Sequence, residues 1–116
     1  MTTRSKLAGL VLAVAFAVAC GGPGRFIQKG IDAYARGDYP DAAQRFTELE
    51  GDQGHMNPKG QVRYLVYRGL TAFHLGKKDE AKALLVKGKA AYDAGDPKWL
   101  PPQTVEEMNA VLGGLQ

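Results

Sequence analysis

One pattern occurs twice in this sequence, as GIDAYARGDYPDAAQRFTEL at residues 30–49 and as GLTAFHLGKKDEAKALLVKG at residues 69–88. The two copies lie 39 residues apart and match without a gap. Gly37 and Gly76 stand where a helix would end, because glycine readily adopts the left-handed backbone that closes a helix. Pro40 suits the first turn of the helix that follows. The sequence therefore predicts two similar hairpins, each made of a helix, a glycine turn and a second helix.

Small residues recur at matched positions of the two copies. Gly30 and Gly69 lie in the first helix of each hairpin, and Ala42 and Ala81 lie in the second, where the two helices would approach closely. At these residues and at the glycine turns the chain resembles the tetratricopeptide repeat (TPR) family, whose usual period is about 34 residues. The resemblance implies an all-α fold, a short TPR-like α-solenoid of two helical hairpins. Residues 51–60 are predicted to form a longer loop between the two repeats.

A different pattern follows the second hairpin. Residues 96–102 contain three prolines and break the helical periodicity, and a last helix is predicted after them. Thr104 and Glu107 match the spacing of a capping box at the start of that helix, and Gly113–Gly114 would end it. Because a solenoid needs a cap over its last apolar face, we expect this helix, anchored by Trp99, to be a C-terminal capping helix of a domain spanning residues 26–116.

The N-terminus has the pattern of a secretion signal. Met1–Lys6 is short and positively charged, and Leu7–Ala19 is an apolar run too short to span a bilayer, which takes about 20 residues. The run ends in Ala17-Val18-Ala19-Cys20, which resembles the lipobox of bacterial lipoproteins. Residues 1–19 are therefore predicted to be a lipoprotein signal peptide.

The lipobox resemblance implies that Cys20 carries diacylglycerol and acyl chains, which is the only covalent group expected on this chain, and that residues 20–25 are a flexible tether. It implies a lipid-anchored protein of the cell envelope, and Gly21 after the cysteine favours the outer membrane, facing the periplasm. The alternative is an ordinary cleaved signal followed by an incidental cysteine.

Charge and composition argue against several classes of function. The formal net charge is +3, but removing Arg4 and Lys6 with the signal leaves 13 basic and 12 acidic side chains, so a nucleic-acid partner is not expected. No serine follows Ser5, and the single thiol belongs to Cys20, so no obvious catalytic nucleophile remains. Two histidines are too few for a typical zinc site. No enzyme activity, metal, cofactor or small-molecule substrate is therefore predicted.

The TPR resemblance implies that the first helix of each repeat lines a concave groove for a protein partner. That partner-binding lining would consist of Ile27, Ile31, Tyr34, Arg63, Val66, Leu70, Phe73 and His74. TPRs that hold a peptide carboxylate use lysine and asparagine in the groove, whereas isoleucine and valine stand here, so hydrophobic recognition of a partner segment is expected instead. The alternative is that these residues pack inside the protein.

The functional prediction is a membrane-anchored, TPR-like lipoprotein that acts as a non-catalytic protein–protein adaptor. One alternative is a pilotin-like lipoprotein that escorts a subunit of an outer-membrane complex. Another is a glycan-binding or envelope-enzyme accessory subunit, which would use the lysines between residues 77 and 89.

Overall fold

Five α-helices and two short 3-10 helices make up residues 23–115, the part of the chain that the computed structural model describes. The α-helices are α1 (Pro23–Ala35), α2 (Tyr39–Glu48), α3 (Pro58–His74), α4 (Lys78–Asp93) and α5 (Pro102–Leu115). The 3-10 helices are Glu50–His55 and Pro97–Trp99. Residues 23–115 contain no strand, which confirms the predicted all-α class.

The N-terminal signal and Cys20 lie outside the described residues. The structure does describe the last three residues of the predicted tether, Pro23–Arg25, as the first turn of α1. Helix α1 therefore includes these three residues.

The two glycine turns are built as predicted. Gly37 has a φ of 78° and Gly76 a φ of 80°, in the left-handed region that favours glycine. After each glycine, the next backbone N–H donates to a carbonyl five residues earlier, from Asp38 to Ala33 at 3.0 Å and from Lys77 to Ala72 at 2.9 Å. This bonding satisfies carbonyls at the helix ends in the same way in both hairpins.

Close approach of the paired helices depends on glycine. A Cβ built on Gly30 would lie 2.6 Å from the Phe46 ring, and one on Gly69 would lie 2.7 Å from Leu85 Cγ. Each contact joins the first and second helix of one hairpin, so the large residue of one helix fills the space that the glycine leaves on the other. The predicted role of these small residues is confirmed.

One hydrophobic core extends through both hairpins to α5. Its largest fully buried side chains are Ile27, Phe46, Val62, Tyr64, Val66, Leu70, Leu85 and Met108. Helices α3 and α4 form the most extensive contact between elements, and α5 packs against both of them. The second hairpin is therefore the centre of the domain.

The segment between the hairpins is more ordered than a loop. It contains the 3-10 helix Glu50–His55, and Met56 after it is buried with an exposed fraction of 6%. Asn57 then caps α3, since its side-chain oxygen accepts the backbone N–H of Gly60 at 2.7 Å. Residues 58–60, predicted to be loop, belong to α3.

The predicted capping box in the last helix is wrong. Helix α5 begins at Pro102, and the backbone N–H groups of Thr104 and Val105 both bond to the carbonyl of Pro101. Thr104 is buried inside the helix, where its hydroxyl lies 2.9 Å from the Tyr67 hydroxyl and forms a hydrogen bond with it. The tertiary contact takes the threonine hydroxyl that a cap would have used.

The predicted end of the last helix is also wrong, because α5 continues through Gly113–Gly114 to Leu115. Leu112 is buried and Leu115 packs against the core. These apolar contacts stabilise a last turn whose glycines have poor helix propensity.

We predict that Gly69→Ala destabilises the domain by about 1–3 kcal/mol, because the added methyl group overlaps the buried Leu85 side chain. The matched control is Gly113→Ala, whose Cβ meets nothing within 4 Å and which should stabilise the chain by up to about 1 kcal/mol. Urea unfolding followed by circular dichroism measures both changes. Equal effects of the two substitutions would contradict the close-packing argument.

Candidate functional site

Half of the predicted partner-binding lining lies in the core. Val66 and Leu70 have no exposed surface, and Ile27 and Ile31 are exposed by only 1% and 9%. Val66 faces α4, since a Cβ on Gly88 would lie 2.8 Å from Val66 Cγ2. Val66 and Leu70 therefore stabilise the domain and cannot contact a partner while it is folded.

Tyr34 and His74 belong instead to a polar cluster that joins four helices, and Phe73 beside them is half-buried against the core. The Tyr34 hydroxyl donates to Glu107 Oε1, His74 Nε2 lies 3.2 Å from the same oxygen, and the Tyr39 ring stacks on the His74 ring at 4.2 Å. We call Tyr34, Tyr39, His74 and Glu107 the tyrosine–glutamate cluster. It connects α5 to both hairpins at their turn ends.

The electrostatics of this cluster fit a structural role. Burial raises the pKa of the Tyr34 phenol well above its ordinary value, and the hydrogen bond and negative charge of Glu107 raise it further. The phenol therefore stays protonated and keeps donating to the carboxylate. A tyrosine that acts as a base or nucleophile needs its pKa shifted in the opposite direction.

A large open cleft of about 1100 Å³ lies beside this cluster. Its walls come from α1, from the first half of α3, and from the segment that runs from Tyr92 through the 3-10 helix into α5. The lining residues are Gln28, Ile31, Lys59, Arg63, Tyr67, Tyr92, Pro97, Lys98, Trp99, Leu100, Pro101, Pro102, Val105 and Glu106. Of the predicted groove, the cleft retains Ile31 and Arg63.

Hydrogen bonds fix the wall formed by residues 92–100. Asp96 Oδ1 accepts the backbone N–H of Lys98 at 2.9 Å, and the Tyr92 hydroxyl donates to the carbonyl of Pro97 at 3.2 Å. The Trp99 ring packs on Gly95, where any side chain would collide with it, and Leu100 is buried beneath. This wall of the cleft is therefore preformed.

Positive charge predominates in the cleft. Lys59, Arg63 and Lys98 line it with a single carboxylate, Glu106. Arg63 donates from Nη2 to the amide oxygen of Gln28 at 2.6 Å, a neutral partner that orients the guanidinium and leaves its charge uncompensated. Within residues 23–115, none of the three cations lies within 4.0 Å of a carboxylate oxygen.

Sequence reasoning missed most of this cleft. Lys59 lies in the segment predicted to be a loop, and Lys98 lies in the segment between the second hairpin and α5, 39 residues away. The two lysines do share a local pattern, since Asn57-Pro58-Lys59 and Asp96-Pro97-Lys98 recur at the same 39-residue offset as the two hairpins. This recurrence, together with the prolines and Trp99 at residues 97–102, indicates an ordered segment. It does not indicate which helix that segment faces.

Two further properties concern the described residues alone. Among the helices of residues 23–115, none is long and apolar enough to cross a membrane. No group of three histidine, cysteine or acidic side chains converges in the same residues as a metal ion would require.

Comparison with known proteins adds no assignment, because no family model, curated protein or solved structure matches the chain.

We predict that the domain loses stability as the pH rises above about 10, the ordinary pKa of a tyrosine. The unfolded phenol of Tyr34 releases its proton there while the folded one keeps it, so the stabilisation is complete below that pH and is lost above it. Tyr34→Phe should weaken this pH dependence, which urea unfolding at pH 8, 10 and 11 measures.

Tyr92→Phe is the control for this experiment, because the Tyr92 hydroxyl bonds only to an exposed carbonyl. It removes a tyrosine hydroxyl that does not contact Glu107 and should therefore weaken the pH dependence less than Tyr34→Phe does. Burial also raises the pKa of Tyr64, so part of the slope should persist in Tyr34→Phe. An unchanged slope in Tyr34→Phe would contradict the assignment.

Proposed function

We propose that this chain is a membrane-anchored, non-catalytic adaptor, a lipoprotein of the bacterial cell envelope whose TPR-like domain holds a segment of a partner protein. The cleft between α1, α3 and the residue 92–106 segment carries the proposal. It lies on the first helices of both hairpins, which is the side where the TPR resemblance implies partner binding. The tether of the lipidated Cys20 would keep that cleft at the membrane surface.

The shape and lining of the cleft favour a polypeptide ligand. At about 1100 Å³ and open to solvent, it exceeds most enclosed pockets for small molecules, which hold roughly 300–1,000 Å³. Aromatic and proline side chains form its walls, and such rigid surfaces bind with little loss of side-chain entropy. The tyrosine–glutamate cluster, which lies beside the cleft, is used in packing helix against helix.

The position of the anchor supports a role at the membrane. Cys20 precedes Pro23, the first described residue of α1, by three positions. An extended chain spans at most about 3.6 Å per residue, so the Cα atom of Pro23 would lie within about 11 Å of the Cα atom of the acylated Cys20. Two or more acyl chains hold a protein firmly in a bilayer.

We expect Cys20→Ser to abolish acylation and to move the protein from the membrane fraction to the soluble fraction or to leave the signal uncleaved. Mass spectrometry of the mature N-terminus in the wild-type chain should show Cys20 as the first residue, carrying diacylglycerol. A wild-type chain that is cleaved elsewhere and carries no lipid would refute the anchor.

We expect a photo-crosslinking residue placed at Val105, on the cleft wall, to capture the same envelope protein reproducibly in living cells. The matched control is the same residue at Val86, an exposed apolar position on α4 that does not line the cleft. Capture from position 86 and not from position 105 would move the interface elsewhere. Absence of any reproducible crosslinked product from position 105 would refute the proposed adaptor function.

A further inference from the structure

The charge on the walls of the cleft specifies its ligand more closely than its shape does. We infer that the cleft takes an acidic, extended polypeptide segment, whose aspartate and glutamate carboxylates meet Lys59, Arg63 and Lys98 while its apolar side chains pack on Trp99. This inference rests on the proposed function and names the chemistry of the partner.

The three cations are placed to contact several carboxylates. Lys59 and Arg63 lie one helical turn apart on α3, and Lys98 stands on the 3-10 helix that forms the other wall. Arg63 is half-buried and already oriented by Gln28, so little side-chain entropy remains to be lost when it binds an anion. Water screens the half-buried Arg63 less than the exposed lysines, so its attraction for an anion is stronger than in open water.

A segment with spaced carboxylates fits this arrangement better than a single compact anion. The cations come from two different elements, α3 and the 3-10 helix Pro97–Trp99, and the apolar surface of Trp99, Pro101 and Val105 shares the cleft with them. A lone phosphate group would use donors that converge on one point. In an extended peptide successive side chains point to opposite faces. A segment of suitable sequence can therefore direct its carboxylates to the cations and its apolar side chains to Trp99.

The site differs from the groove of those TPRs that hold a peptide carboxylate. At inner positions where that groove carries lysine and asparagine, this chain has Ile31 and Val66. Two of the cleft groups, Lys98 and Trp99, follow the second hairpin. The cleft is therefore a product of the residue 92–106 segment folded against α3, and neither hairpin forms it alone.

The experiment uses the full acylated chain in nonionic detergent and two fluorescent, terminally blocked heptapeptides, one of alternating glutamate and leucine and one with glutamine in place of glutamate. Fluorescence anisotropy measures binding. We expect the glutamate peptide to bind at least about tenfold more tightly at low salt and to lose this advantage as salt screens the charges.

Charge reversal locates the site. The double variant Lys59→Glu/Lys98→Glu should weaken binding of the glutamate peptide at least about tenfold. The matched double variant Lys82→Glu/Lys87→Glu makes the same change of net charge on exposed positions of α4 and should leave binding within about twofold. Glu106→Gln removes the one carboxylate that lines the cleft and should tighten binding, a gain that loss of folding cannot produce.

Several results would overturn the inference. These are equal binding of the two peptides, no binding of either at millimolar concentration, or equal weakening by both double variants. Another is binding of the chain to phosphatidylglycerol vesicles that depends on Lys59 and Lys98 in the absence of peptide binding. That outcome would assign the cleft to lipid headgroups.

The proposed function can fail independently. If the Val105 crosslink captures a partner through a segment without acidic residues, the adaptor function is supported and the proposal of an acidic ligand is wrong. If the glutamate peptide binds the cleft but no cellular protein crosslinks to a residue in the cleft, the proposed ligand chemistry is supported and the adaptor function is wrong.

Discussion

The docking of α5 onto the two hairpins is the contact on which the shape and charge of the cleft depend. Met108 places its side chain in the core, and the hydroxyls of Tyr67 and Thr104 bond to each other in a buried position. A buried hydroxyl left without a partner costs about 1–3 kcal/mol. The hydrogen bond therefore fixes how α5 lies along α3, while Met108 supplies the apolar contact.

Once α5 is fixed at one end and α4 at the other, the segment between Asp93 and Pro102 has little freedom. Its own hydrogen bonds and the Trp99–Gly95 contact define it further. This segment supplies one wall of the cleft. A short, constrained connection thus turns a packing contact between helices into a binding surface with a defined shape and charge.

The correct and incorrect predictions have separate causes. The hairpins, their glycine turns and the pairing of Gly30 with Phe46 depend on residues close in sequence, and local backbone preferences determine such features. The prediction of an apolar partner-binding groove had no such local basis. Helical periodicity marks Val66 and Leu70 as one apolar face, but periodicity is the same whether that face meets a partner or the chain's own helices. Both residues are buried.

The sequence by itself determined that the chain forms two helical hairpins, where their turns fall and which small residues allow close packing. Those properties depend on neighbours within a few turns of helix. Only the tertiary structure decided that Thr104 bonds to Tyr67, that Glu107 bonds to Tyr34, and that Lys59 and Lys98 face one cleft. Each of these contacts joins residues at least 37 positions apart, and the packing of α5 against the hairpins selects them from the many pairings that the sequence permits.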